Sequence, residues 1–239
     1  MLITTKAIVF SAIKYGEADL IVKLFTEKSG LKTYLLRGIL KSKKGKLRVS
    51  LFQPLTQLEI VANHKDKGNM ENLREAKVLS TYQSLHSDVV KSSVVFFLAE
   101  MLKNSVKEEE ANVALFEFLQ NTFNWFDHHD SIPNFHLLFL LKLTKYLGFY
   151  PDDSEKNLDV FNLLDGTFQD VETNDYCISN ENLEILKSFL GTNFEAISGI
   201  KLSHTSRSGF LNLLLIYYEL HLQGFRKPKS LSVLNEIFS

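Results

Sequence analysis

Hydrophobic residues recur with two different periods along this chain. In the first eighty residues, β-branched and apolar residues form five short runs separated by turn-forming residues, a pattern typical of β-strands. Gly30, Gly38 and Gly68 stand between runs, where the chain must turn. Five short strands predict a small β-barrel or β-sandwich. The predicted strands cover residues 4–13, 19–25, 31–36, 55–61 and 73–79.

Beyond about residue 80 the period becomes helical. Apolar side chains fall three, four and seven positions apart within residues 90–101, 116–126 and 210–217, which predicts amphipathic helices. Residues 135–147 are apolar on nearly every face, as in a central buried helix. Residues 231–238 predict a short terminal helix.

An acidic, poorly periodic segment over residues 152–176 interrupts the helical pattern. Within it, residues 161–164 and 167–171 predict a hairpin, and Asp165-Gly166 is a favoured pair for a two-residue type I′ turn. We therefore predict a multidomain α+β fold. It has a five-stranded β-domain over residues 1–80 and a helical domain over residues 81–239, with a hairpin insertion at about 152–178.

Charge is distributed unevenly along the chain. The whole sequence has a net charge of -1, but residues 1–80 hold 15 Lys and Arg against 7 Asp and Glu, whereas the remainder holds 12 against 21. Residues 37–48, RGILKSKKGKLR, contain six cations and no acid. Such asymmetry favours a polyanionic partner for the first part, although solvated charges can also cluster by chance.

A small barrel with a cationic loop is typical of a surface that binds single-stranded nucleic acid, in which cations follow the phosphates and aromatic rings stack on bases. Tyr15 and Tyr34 are the stacking candidates, although half-buried packing residues would give the same pattern. The predicted phosphate-binding cations are Lys32, Arg37, Lys41, Lys43, Lys44, Lys46, Arg48, Lys65 and Lys67.

Candidate catalytic groups are sparse. Asp152, Asp153 and Glu155 could hold Mg²⁺ as in a nuclease, but an exposed acidic turn would have the same composition. The single cysteine, Cys177, excludes an internal disulfide and a cysteine-based zinc site. A phosphate-binding P-loop motif is absent from the sequence. We expect no enzyme activity, no catalytic residue, no metal and no cofactor.

The N-terminus lacks the charged and apolar regions of a signal peptide. No apolar run reaches the length of a membrane span without interruption by charge. We expect a cytoplasmic, nucleoid-associated protein that has no membrane partner.

Several short motifs resemble the RecO family of bacterial recombination mediators. They occur in the family's order and cover most of residues 5–60, with one more at the end of the predicted central helix. They are AIV at 7–9, YGEAD at 15–19, LFTEKSG at 24–30, Gly38 with the basic loop, FQPLT at 52–56 and KYLGFYP at 145–151.

The resemblance implies an N-terminal OB-fold and a helical C-terminal domain. It also implies binding to single- and double-stranded DNA, annealing of complementary strands, and cooperation with RecR in loading RecA onto strands coated by single-stranded DNA-binding protein. An OB-fold protein-interaction adaptor that has no essential DNA binding is the alternative, motivated by the acidic helical part.

Two departures from the family pattern stand out. Many members carry a four-cysteine zinc module after the Leu-Gly-aromatic turn, where this chain has only Cys177, so a metal-free hairpin is expected. Relatives also bind the acidic tail of single-stranded DNA-binding protein in the helical domain. Here the central helix offers His136, Lys142 and Lys145 as partner-binding residues, and no arginine.

Overall fold

The computed structural model describes residues 1–42, 47–65, 70–130 and 133–238. The chain divides into two compact units. The first contains Met1–Asp130 and Pro228–Ser230, and the second contains Ser131–Lys227 and Leu231–Ser239. Because compactness does not decide which part folds alone, the division at residue 80 stays a prediction.

Five antiparallel strands form the sheet of the first unit. They are β1 (Leu2–Tyr15), β2 (Asp19–Thr26), β3 (Gly30–Leu36), β4 (Gln57–Asn63) and β5 (Asn72–Val78). Their order in the sheet is β3-β2-β1-β4-β5, and the edge strands β3 and β5 meet at a parallel bridge between Tyr34 and Glu71. The prediction of five N-terminal strands is confirmed, and the bridge gives a partly open barrel, as in an OB-fold.

Strand β4 begins two residues later than predicted, since the predicted strand started at Leu55. A 3₁₀ turn (Val49–Phe52) precedes it, and Leu55 adopts a left-handed conformation with φ 61°. That backbone conformation cannot continue a strand.

Two helices, α1 (Val89–Ser105) and α2 (Val113–His128), pack against the barrel in the first unit. The side chains of Asp88 and Asn112 cap them by accepting hydrogen bonds from backbone amides of the first turn. The ring of Phe116 on α2 lies 6.2 Å from that of Phe25 on β2. The Glu108 carbonyl between the helices accepts the Leu31 amide at 2.8 Å. The sheet around Phe25 of β2 and Leu31 of β3 is therefore covered by α2 and by the connection between the two helices.

The second unit contains α3 (Phe135–Leu147), α4 (Asn180–Phe189), α5 (His204–His221) and α6 (Leu231–Ile237). Helix α3 is the predicted buried helix, and it ends where Gly148 takes a left-handed φ of 85°. Helix α4 lies in a stretch for which no prediction was made. Among the residues that the structure describes, no helix is both long enough and apolar enough to cross a membrane.

A three-stranded sheet interrupts this helical unit. It consists of β6 (Val160–Asn162), β7 (Thr167–Gln169) and β8 (Cys177–Ile178) in the order β7-β6-β8. The predicted hairpin is confirmed, but the predicted two-residue turn is wrong. Asn162 pairs with Thr167, which leaves four residues between them, and the Gly166 amide donates to the Asn162 carbonyl at 2.8 Å.

Candidate nucleic-acid interface

A groove of about 760 Å³ opens beside the bridge that joins β3 to β5. Its walls combine apolar side chains from the end of β3 and the start of β5, including Leu36 and Leu73 from the barrel core. Three cations, Arg37, Lys65 and Arg74, also line it, and each is exposed. The described lining of the groove thus combines apolar side chains with three exposed cations.

One acid, Glu71, also lines the groove, but its carboxylate is engaged in the fold. Glu71 is only 6% exposed, and its Oε2 accepts the Lys65 backbone amide at 2.8 Å. This bond holds the connection between β4 and β5, and among the described lining residues the exposed charges are the three cations. A cationic concave surface attracts a polyanion.

The described ends of the basic loop are anchored in the barrel. Ile39 is buried in its core, and Leu40 and Leu47 pack against the same cluster. Arg37, Lys41 and Arg48 are exposed. The other predicted loop cations, Lys43, Lys44 and Lys46, lie outside the described residues, as does Lys67 in the connection between β4 and β5.

The predicted cations within the strands differ in exposure. Lys32 on β3 is half-buried and pairs in register with Leu24, a core residue of β2. Lys65 follows β4 and is exposed at the groove. The structure therefore brings Arg37 and Lys65 to the same groove.

Tyr34 has to be corrected as a stacking candidate. Its side chain is fully buried, and its hydroxyl lies 2.7 Å from Nε2 of His64 in a hydrogen bond. A ring enclosed in the barrel core presents no face to a base. Tyr15 is 55% exposed at the end of β1, so stacking on Tyr15 stays a prediction.

His136 also has to be corrected, as a partner-binding residue. It is 1% exposed and stacks on Phe238, with ring centroids 5.2 Å apart. Burial, together with the charge of Arg207, lowers the pKa of His136 to about 3, so the ring is neutral at pH 7. A buried neutral ring cannot offer a positive charge to an acidic peptide.

The two predicted lysines of α3 stand in different surroundings. Lys142 is half-buried, with Nζ 6.0 Å from the ring centroid of Phe194. Burial and the neighbouring charge of Lys145 lower the pKa of Lys142. Lys145 is exposed. Both stay predicted partner-binding residues.

Two arginines were missed by sequence reasoning. Arg74 joins the groove from β5. Its place directly after apolar Leu73 in the predicted strand 73–79 is a signal that could have found it, because neighbouring side chains of a strand point to opposite faces. Arg207 on α5 donates from Nε to Oδ1 of Asn134, just before α3, at 3.0 Å. No sequence signal joins Arg207 to α3, because 73 residues separate it from Asn134.

The donor set of the insertion does not fit a four-cysteine zinc module. Cys177 is its one cysteine, and its sulfur accepts the Thr173 amide and Nε2 of Gln169, each at 3.4 Å. Asp152, Asp153 and Glu155 are exposed. Across the described part of the chain, no group of three His, Cys, Asp or Glu side chains is placed to hold a metal ion.

Comparison with known proteins places these features in a class of recombination proteins. Residues 1–82 match the family model described as recombination protein O N terminal, and residues 86–231 match recombination protein O C terminal. The chain therefore belongs to the RecO family of DNA repair proteins. The match confirms the resemblance seen in the N-terminal motifs and the predicted fold class.

Curated relatives support the same assignment over the whole length. Each of the following is named DNA repair protein RecO, and the alignment covers 100% of both chains. The protein from Christiangramia forsetii is 63% identical, that from Flavobacterium johnsoniae 47%, and that from Bacteroides fragilis (strain NCTC 9343) 35%.

Proposed function

We propose that this protein is a DNA repair and recombination mediator that binds single- and double-stranded DNA and anneals complementary strands. With RecR, it helps to load RecA onto strands coated by single-stranded DNA-binding protein. It acts in the cytoplasm, in association with the nucleoid, and catalyses no covalent reaction of its own. The observation that carries this proposal is the groove beside β3 and β5, where Arg37, Lys65 and Arg74 are exposed together.

The proposed mechanism is electrostatic. Complementary strands repel each other through their phosphates, and exposed cations that neutralise those phosphates lower the repulsion until bases meet. Phosphate contacts carry no sequence information, so little sequence preference is expected. Released counterions supply much of the binding free energy, and binding should therefore weaken steeply as salt rises.

The helical unit is the proposed site for the acidic tail of single-stranded DNA-binding protein. Lys145 is exposed, and Lys142 is half-buried beside Phe194, so both a charge and an apolar surface are present. An acidic, hydrophobic peptide needs both kinds of contact.

Titration of labelled single-stranded DNA at several salt concentrations tests the DNA-binding part. The logarithm of the affinity should fall linearly with the logarithm of salt, by about 0.7 per neutralised phosphate. A variant with Arg37→Gln and Arg74→Gln should bind more weakly and reduce that slope by about 1 to 2. A slope of zero for the natural protein would exclude phosphate binding as the basis of its function.

A matched control uses two cations of the first unit that do not line the groove, one on β1 and one in the turn between β2 and β3. Lys6 forms an ion pair with Glu27 at 3.3 Å, and Lys28 donates to the Thr4 carbonyl at 2.9 Å. The variant with Lys6→Gln and Lys28→Gln removes the same amount of charge. It should keep most of the affinity if the groove is the site.

Annealing of strands coated by single-stranded DNA-binding protein, with and without RecR, tests the mediator part. The protein should accelerate annealing, and the groove variant should lose most of that acceleration. RecR binding without any DNA binding at moderate salt would instead favour the interaction adaptor.

A further inference from the structure

The turn between β1 and β2, which carries the YGEAD motif, contacts the start of the basic loop at three points. Asp19 Oδ1 accepts the Gly38 amide at 2.7 Å, and the Ala18 carbonyl accepts the Leu40 amide at 2.9 Å. Lys41 Nζ lies 3.3 Å from Glu17 Oε2 in an exposed ion pair. The first two bonds fix backbone, whereas an exposed ion pair adds little.

These bonds act on a compact turn that carries two of the candidate DNA-binding cations. The Gly38 carbonyl accepts the amides of Lys41 and Ser42 at 3.2 and 3.1 Å. Ile39 is buried in the barrel core, while Arg37 and Lys41 on either side are exposed. A hydrogen bond that holds the Gly38 amide therefore also restricts the positions of Arg37 and Lys41 on the surface.

The charge of Asp19 works against the proposed ligand. Asp19 is an anion directly after the turn, on a strand whose next residue, Leu20, pairs with Leu36 beside Arg37. By charge alone, removing an acid from a DNA-binding surface should strengthen binding to phosphates. The carboxylate of Asp19 also accepts the Gly38 amide, so removing it would free the backbone of the loop as well as removing a negative charge.

We propose that Asp19 is a positioning residue of the DNA interface. Its carboxylate oxygen holds the Gly38 amide, and this bond presents Arg37 and Lys41 in a fixed arrangement for phosphate binding. The inference rests on the proposed function for its ligand, DNA.

Four variants separate the charge of Asp19 from the position of its oxygen. Glu17→Ala removes a nearby acid without touching the backbone bond, and should bind single-stranded DNA slightly more tightly.

Asp19→Asn keeps an acceptor oxygen and loses the charge, and should bind as tightly as the natural protein or up to about twofold more tightly. Asp19→Ala loses the acceptor and should bind about three- to tenfold more weakly, because Arg37 and Lys41 are then no longer held in one arrangement before DNA binds. Asp19→Glu keeps the charge but displaces the oxygen, and should weaken binding in the same direction.

Salt titration supplies a readout that a general loss of stability would not give. Asp19→Ala should show a smaller salt slope than the natural protein at equal folded fraction, because fewer phosphates are neutralised at once. Should Asp19→Ala fail to fold, the comparison of Asp19→Glu with the natural protein decides, because both carry the same charge and differ in the position of the oxygen. Tighter binding by Asp19→Ala, or binding by Asp19→Glu equal to that of the natural protein, would overturn the inference.

Amide hydrogen exchange of Gly38 tests the bond without DNA. Protection should persist in Asp19→Asn and be lost in Asp19→Ala and Asp19→Glu, with Leu24 in the barrel core as an internal reference. The natural protein could fail to bind DNA while the Gly38 amide shows the expected protection in each variant. That result would contradict the proposed function and would still support the hydrogen bond between Asp19 and Gly38. Unchanged Gly38 protection in Asp19→Ala would refute the positioning role itself.

Discussion

The N-terminal barrel and the insertion sheet are both β-structures, but they carry opposite charge and are held together differently. The barrel encloses a core of apolar side chains from all five strands, and its cations are exposed on connections at its rim. The insertion has strands of only two or three residues, and residues 152–176 contain eight acids and one lysine, all exposed.

In the insertion, polar side chains add to the packing of buried Phe161 against Phe168, whose ring centroids lie 4.9 Å apart. Asn162 is fully buried and donates to Asp165 Oδ2 at 2.6 Å, while its own Oδ1 accepts the Leu164 amide at 3.0 Å. Gln169 donates to the Val171 carbonyl at 2.6 Å. Strands this short enclose few apolar side chains, so such bonds carry a larger share of the stability of the insertion. The barrel has its cations on connections outside its core, whereas the insertion needs its side-chain amides as well as its buried rings.

The largest expected effect is on the packing of the barrel against the connection between α1 and α2. A Cβ added at Gly30 would lie 2.2 Å from the Glu110 carbonyl oxygen, and Gly30 has a φ of 63°. Gly30→Ala should destabilise the first unit by about 3 kcal/mol or more. Urea unfolding followed by the fluorescence of Trp125 on α2, the one tryptophan of the chain, measures this.

Gly16→Ala is the matched control, because Gly16 has a φ of 59° but no atom within 4 Å of the added Cβ. Gly16→Ala should lower the free energy of unfolding by only about 1 kcal/mol, because an alanine is strained in this backbone conformation. Equal effects of the two substitutions would mean that the close contact at Gly30 does not contribute to the stability of the first unit.

The next effect tests whether the first unit also depends on one polar cluster. Asp127 on α2 accepts the backbone amides of Gln83, Ser84 and Leu85 at 2.8 to 3.0 Å. Burial raises the pKa of this carboxyl, but these hydrogen bonds outweigh it and lower the pKa below its usual value. Asp127→Asn replaces one acceptor by a donor and should cost about 2 kcal/mol at pH 7.

The pH dependence of that difference follows from the direction of the shift. A carboxyl with a lowered pKa in the folded state stabilises the fold above its unfolded pKa of about 3.9, and loses this contribution as pH falls through the folded pKa. The stability gap between the natural protein and Asp127→Asn should therefore close below about pH 4. A gap that stayed constant down to pH 2 would argue against a role for the ionised carboxylate.

The smallest expected effect is local to the insertion. Asn162→Ala removes the bonds to Asp165 and Leu164 and should cost about 1 to 2 kcal/mol. Faster amide exchange over residues 160–178 measures it, and unfolding followed by Trp125 should not change. Asn157→Ala, at an exposed position in the same segment, should leave exchange unaltered. Loss of the barrel in Asn162→Ala would break the distinction between the two regions.

Much of the fold was predictable because local patterns determine it. The strand β2 follows from its β-branched and apolar composition and the helical stripe of α2 from its period, and both are confirmed. The turn at Asp165-Gly166 was predicted wrongly because the Asn162 side chain, which bonds the Leu164 amide, favours a longer turn. Turn preferences for two residues cannot include a side chain that reaches back from the strand.

The candidate site was predictable only in part. Charge counting alone identified the basic loop, since clustering of lysine and arginine is a property of the sequence. Burial could not be inferred for Tyr34 and His136, because a polar ring is assigned to surface or core only by what packs around it. Tyr34 faces the barrel core beside His64, and His136 lies under Phe238, a residue 102 positions away.

The sequence by itself determined the two periodicities, the cationic loop and the family, because each depends on residue type and spacing along the chain. Tertiary structure alone decided that Arg74 joins Arg37 and Lys65, since β5 meets β3 only when the sheet closes. It also decided that Asp19, an acid within a basic region, holds the Gly38 amide at the start of the loop. A hydrogen bond between residues 19 positions apart depends on strand pairing, which charge and composition do not encode.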